Sequence, residues 1–258
     1  MFGFLIKKWF FDLWDNFLAI ILMNLGFVVV LTVPFVAAPA LAGVNQVISI
    51  IVLGIGVVIF YVYASAVAFM TRDIAQYQQP GFKDFWKYLK EVWVSGLVLG
   101  LIVAFHITVV FFALPVYGGM GGLLGLAALA FLFWASVIWV LASQFYFPIR
   151  AQLDSKLRKV LKKCFIVFFD NTFFSILAGI ATLAILILSV FTALLIPGFG
   201  GIFLFGQVAL KLRLYKYDYL EEHPDANRRK IPWDALLVDD KERVGKRTLR
   251  GMIFPWKE

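Results

Sequence analysis

Asp, Glu, Lys and Arg are absent from three long stretches of the chain, 17–71, 92–149 and 171–210, and cluster in the segments between and beyond them. A helix needs about 20 apolar residues to cross the roughly 30 Å of bilayer hydrocarbon, so the first two stretches are each long enough to cross twice. Each stretch also holds a proline and small residues where the chain would turn back: Val33-Pro34-Phe35-Val36-Ala37-Ala38, Leu114-Pro115-Val116-Tyr117-Gly118-Gly119 and Ile196-Pro197-Gly198-Phe199-Gly200-Gly201. Proline removes a backbone donor and glycine opens the φ values a reversal needs, so Pro34, Pro115 and Pro197 are read as hairpin turns, and the recurring pattern as an internal repeat. Kinks in continuous helices are the other use of Pro34 and Pro115; the length of the runs argues against it.

A short segment before each run has helical periodicity. Leu157, Val160, Leu161, Cys164, Phe165 and Phe168 fall on one face, with Lys156, Arg158, Lys159, Lys162 and Lys163 on the other. Phe82, Phe85, Trp86, Leu89 and Trp93 repeat the arrangement opposite Lys83, Lys87 and Lys90, and Ile6, Trp9, Phe10 and Leu13 give a third, noisier version. Such helices lie in the headgroup plane with the basic side toward anionic lipid. Asp15-Asn16 and Asp170-Asn171 stand where apolar runs begin and are read as helix N-caps marking a break. The pattern therefore predicts an all-α integral membrane protein of six transmembrane helices, arranged as three helical-hairpin repeats, each preceded by a cytoplasmic amphipathic helix. The membrane domain covers 1–214, with hairpins at about 17–71, 92–149 and 171–214, and a cytoplasmic C-terminal tail covers 215–258.

Charge sets the orientation. All 24 basic residues lie outside the three runs, so the positive-inside rule puts the N-terminus, both long connections and the tail on the cytoplasmic side, with the uncharged turns outside. The net charge of +8 flanks the membrane segments, which fits lipid orientation better than nucleic acid. Hydrophobic residues make up 62% of the chain and charged ones 16%, against about 25% charged in soluble proteins. Lys7 and Lys8 before an apolar run, with Ala40-Leu41-Ala42 as a cleavage-like triplet, imitate a signal peptide, but the apolar stretch is too long for one. The single cysteine, Cys164, makes no internal disulfide, and neither His106 nor His223 has a partner at metal-ligand spacing, so no metal or cofactor site is expected.

Few residues in the runs carry chemistry. His106 is the one ionisable side chain among Asp, Glu, Lys, Arg and His there, and without an acidic partner it reads as a neutral histidine hydrogen-bonded to a neighbouring helix. Asn24, Asn45, Gln46, Gln144 and Gln207 either line a polar path for an uncharged ligand or glue helices together. Gly96 with Gly100, and Gly121 with Gly125, have the spacing that lets helices approach closely. One histidine with Ser95, Ser136, Ser143, Ser175 or Ser189 makes no recognisable catalytic pair, so no enzyme is expected. The tail repeats an apolar-Pro-Trp triplet at Ile231-Pro232-Trp233 and Phe254-Pro255-Trp256; Trp233 and Trp256 are docking anchors, either on the chain's own domain or on a partner.

Trp14-Asp15, Asn24-Leu25, Pro34 followed by Pro39-Ala40, and Arg72-Asp73 leading to Phe82-Lys83-Asp84-Phe85 resemble the YesL family of small bacterial membrane proteins over about residues 13–90. The resemblance implies a bacterial inner-membrane location and an accessory subunit or assembly factor of a carbohydrate ABC uptake system. Its partners would then be ABC transporter components or other membrane or cytoplasmic proteins. The candidate contacts are Phe82, Phe85, Trp86, Lys156, Lys159, Lys163, Trp233 and Trp256. The alternative is a transporter or channel in its own right, similar to the membrane half of an ABC exporter.

Overall fold

A computed structural model describes residues 1–228 and 230–247. The described residues are all-helical: α1 (Phe2–Asp15), α2 (Phe17–Ala42), α3 (Gln46–Ala75), α4 (Phe82–Met120), α5 (Gly122–Ser143), α6 (Tyr146–Gln152), α7 (Leu157–Asp170), α8 (Thr172–Phe191), α9 (Gly198–Glu222), α10 (Trp233–Leu236) and α11 (Val238–Val244). Five are long and apolar enough to cross a membrane: α2, α3, α4, the continuous stretch Gly122–Gln152 and α8. The protein is therefore a multi-pass helical membrane protein. The expected sixth span corresponds to α9, which carries Lys211, Arg213, Lys216 and Asp218 in its second half and is not among the five.

Helices α2, α3, α4 and α5 pack in chain order, each on the next, while α9 is enclosed by α1, α2, α3, α6 and α8. Phe27 is fully buried where these groups meet, its ring 4.7 Å from Tyr63, 5.1 Å from Phe60, 5.2 Å from Phe199 and 5.8 Å from Phe203. Hydrocarbon solvates an apolar side chain as well as another helix does, so close packing and polar contacts must hold such helices together. Gly96 and Gly100 supply the packing: a Cβ on Gly96 would strike the Tyr61 carbonyl and Val62 Cα, and one on Gly100 would stand 2.8 Å from Val58 Cα. Gly96→Leu should force α3 and α4 apart and cost about 1–3 kcal/mol or more, read as a lower unfolding midpoint in mild detergent. Gly54→Leu, at a position facing open space, should leave the midpoint unchanged.

The turns correct the reading of two prolines. Pro34 and Pro39 lie inside α2 and Pro115 inside α4. The Pro34 ring nests against Gly56, which has no side chain to oppose it, so the kink-prone position is absorbed by the neighbouring helix. The first reversal comes instead at 43–45, where Asn45 caps α3 by accepting from the Val47 and Ile48 backbone N–H groups. The second comes at Gly121 and Gly122, both at positive φ, a conformation open to residues without a Cβ. Pro197 does stand at a reversal, between α8 and α9.

The expected breaks before the hairpins are real at two places and missing at the third. Both α1 and α7 are 14 residues long and stop at an Asp-Asn pair. Neither asparagine caps the helix that follows. Asn16 Nδ2 donates back to the Asp12 carbonyl at 2.9 Å and Asn171 Nδ2 to the Val167 carbonyl at 3.3 Å, so each closes the helix it ends. Segment 82–90 has no such pair. Asp84 instead accepts from Gly81 N–H at 2.8 Å, a cap placed before the amphipathic stretch, which makes that stretch the opening turns of the 39-residue α4 rather than a separate helix.

Candidate functional site at the charged end of the bundle

The basic and acidic side chains gather where α3 ends, α9 leaves the apolar region and α11 folds back. Lys8 is completely buried, and its Nζ lies 2.7 Å from Asp12 Oδ2 one helical turn away. The same ammonium sits 3.7 Å above the Tyr77 ring, with Lys211 and Arg243 each 4.8 Å from that ring. Asp240 on α11 completes the group, accepting from Tyr77 Oη at 2.7 Å, Lys211 Nζ at 2.9 Å and Tyr215 Oη at 3.0 Å. Tyr77 reaches this position at φ 63°, which few non-glycine residues adopt. The three cations and two carboxylates thus share one aromatic centre.

Burial governs the ionisation of the pair on α1. It raises the Asp12 carboxyl to about 6 despite the attraction of Lys8, and it lowers Lys8 despite Asp12. At Asp240 burial also works upward, but the hydrogen bonds from Tyr77 and Lys211 outweigh it and hold the carboxyl below its ordinary value. Tyr77 is pushed above the usual phenol value by burial and then by Asp240. A second, smaller group ties α3 to α4: Asp73 accepts from Arg72 at 2.6 Å and from Tyr88 Oη at 2.6 Å.

These contacts dock the tail on its own chain. Lys7 Nζ donates to the Gly245 carbonyl, Arg247 pairs with Asp15 at 2.9 Å, and half-buried Trp233 lies 5.6 Å from the Arg213 guanidinium. Trp233 is therefore occupied in cis. Trp256 lies outside the described residues.

The remaining predicted contact residues separate into two patches. Phe82 and Trp86 are 75% and 51% exposed, and with half-buried Phe85 they overhang an apolar groove of about 400 Å³ shared with Leu22, Met23 and Tyr63 of α2 and α3. Lys156, just before α7, and Lys159 on it are exposed, and Lys163 leans toward Asp154 at 3.5 Å. Because α7 packs on α5, α6 and α8, this basic patch is not continuous with the groove.

Three of the five candidate amides join separate elements, while Asn45 caps α3 and Gln46 is exposed beside it. Gln144 Nε2 donates to the Leu141 and Ser175 carbonyls, joining α5 to α8. Gln207 Nε2 donates to the Ala68 carbonyl, and its Oε1 accepts from Gln152 at 2.6 Å. Asn24 Nδ2 donates to the Leu195 and Pro197 carbonyls, both at 2.8 Å, while its Oδ1 accepts from Gly200 N–H at 2.7 Å. His106 corrects the expectation of an interhelical hydrogen bond: its ring faces Trp139 at 6.4 Å in a wall of Phe105, Val109, Phe131 and Trp134, and among the described residues none bonds to it.

Sequence reasoning missed Tyr77, Asp240 and the Lys8–Asp12 pair. The last had a legible signal, opposite charges four apart on one helix. Comparison with known proteins gives no match to any family model, curated protein or solved structure.

Proposed function

We propose that the chain is a non-enzymatic accessory subunit or assembly factor of a membrane transport complex, seated in the bacterial inner membrane with both termini and its charged end cytoplasmic. One observation carries the reading. Three of the five polar side chains suited to lining a solute path, Asn24, Gln144 and Gln207, are committed to internal hydrogen bonds, while Phe82 and Trp86 stand exposed beside an apolar groove at the charged end. Large aromatic side chains beside a concave apolar surface are the anchors protein partners use. The resemblance of residues 13–90 to YesL proteins supports a carbohydrate ABC uptake system as that complex, and the lysines of α7 fit anionic lipid at the same face.

The test is co-purification in mild detergent with the permease and ATPase subunits of such a system. The wild-type chain should retain them in stoichiometric amounts, and Phe82→Ala/Trp86→Ala should lose them with its own membrane level unchanged. Solute uptake by vesicles containing this chain alone would overturn the reading in favour of a carrier.

A further inference from the structure

We infer that α8 and α9 do not cross the membrane: they form a re-entrant hairpin that enters from the charged face, turns near the middle of the bilayer and leaves by the same face. The placement rests on three sets of contacts. The start of α9 lies at the middle of α3, Phe199 being 5.1 Å from Phe60, whereas Gln207 reaches the Ala68 carbonyl and Lys211 the Ala75 carbonyl at the end of that helix. From Phe60 to the last uncharged residue before Arg72 is roughly 17 Å at 1.5 Å per residue, and α3 runs on about 21 Å in the other direction to Gln46. A 30 Å hydrocarbon slab starting at Thr71 ends near Val52, well beyond the turn. Sliding the slab toward Gln46 leaves the turn shallower still.

The ruler of α2 agrees. Asn24, which holds the turn, is only about 10 Å from the start of α2, with about 27 Å of helix beyond it. Although α8 is 20 residues long, its first turn lies outside the end of α3, where Asn171 meets Tyr217 and the Arg213 guanidinium stacks 3.7 Å from Phe174. Part of its length is therefore used before the hydrocarbon begins.

A turn at that depth has no water to satisfy its backbone, so irregular segments persist there only where protein supplies the partners. Those partners are present. Ser189 Oγ accepts from Gly198 N–H at 2.9 Å, Thr192 Oγ1 bonds both Ile196 N–H and the Ile196 carbonyl, Leu194 N–H reaches the Ser189 carbonyl at 2.7 Å, and Asn24 serves Leu195, Pro197 and Gly200. A Cβ on Gly198, which sits at φ 61°, would collide with the Asn24 amide, so glycine is needed for the clamp. The rest of the tip is apolar: Phe191 is 83% exposed, and Ala193 and Leu194 take the positive φ values at which water-exposed turns favour Gly or Asn. Four crossing helices then remain, an even number, which leaves both termini on one side.

The test uses single cysteines in a Cys164→Ala background, Cys164 being the one native cysteine and buried. Ala193→Cys should resist a membrane-impermeant maleimide applied from either side, while Val44→Cys and Leu123→Cys, at the far turns, should react from one side only. Phe191→Cys, on the lipid-facing surface where substitution disturbs no packing, should place a nitroxide about 15 Å below the headgroups in reconstituted vesicles, relaxed by oxygen rather than by a water-soluble nickel complex. Labelling of Ala193→Cys from the same side as Val44→Cys, or a headgroup-level nitroxide, overturns the inference. Both readouts hold whichever way the molecule faces, so they stand apart from the orientation proposed above.

Discussion

Asn24→Leu should lower stability by about 3 kcal/mol or more, although the two side chains are close in size. The substitution removes both donors to the Leu195 and Pro197 carbonyls and the acceptor for Gly200 N–H. Each buried group left without a partner costs about 1–3 kcal/mol, and the neighbouring Ser189 and Thr192 hydroxyls are already bonded to Gly198 and Ile196. The unfolding midpoint in mild detergent should fall by on the order of 10 °C. Ser189→Ala, which orphans only Gly198 N–H, should lose about a third as much. A midpoint for Asn24→Leu within about 2 °C of wild type would show that the turn finds other partners and that the clamp is dispensable.

Asp12→Ala should be comparably damaging for a different reason. It leaves the Lys8 ammonium fully buried with the Tyr77 ring as its nearest compensation. Breaking a buried pair costs about 3–5 kcal/mol because the surviving charge keeps its desolvation penalty. Lys8→Met/Asp12→Leu removes both charges and should recover most of the loss. The pair also carries a pH signature. Asp12 holds its proton up to about 6 in the folded chain, against the ordinary value of 3.8. The folded state therefore binds more protons between about pH 4 and 6, so this contribution is fully present below about 4 and is lost as the pH rises through 6. The wild-type midpoint should fall across that window relative to the double variant, and parallel curves would place Asp12 at an ordinary carboxylate value.

Several features follow from local pattern. The charge-free runs mark the apolar helices because their length and lack of charge suit them to no other solvent. Gly96 and Gly100 announce the α3–α4 contact, since a missing side chain is what lets two backbones meet. The Asp-Asn pairs mark both true helix breaks, though each asparagine turns its amide to the helix behind it. Pro34 and Pro115 misled because a proline in lipid is judged by its neighbour: Gly56 makes room for one, and the true turns rest on Asn45 and on Gly121-Gly122. Segment 82–90 misled because amphipathicity reports a face and not an interruption.

The candidate site divides the same way. Phe82 and Trp86 are exposed where periodicity puts the apolar face of that segment. Trp233 reads equally as an anchor for the chain's own domain or for a partner until Arg213 and the Asp240 network bring the tail onto α1 and α9. Composition and the spacing of charge by themselves determined that this chain is helical and lives in a membrane, because transfer free energies depend on residue type and not on partners. Tertiary structure alone decided that Asn24 spans to Gly200, that Asp240 joins Tyr77 and Lys211, and how deep the last hairpin reaches. Those outcomes depend on which backbone groups from distant parts of the chain are left for a side chain to satisfy.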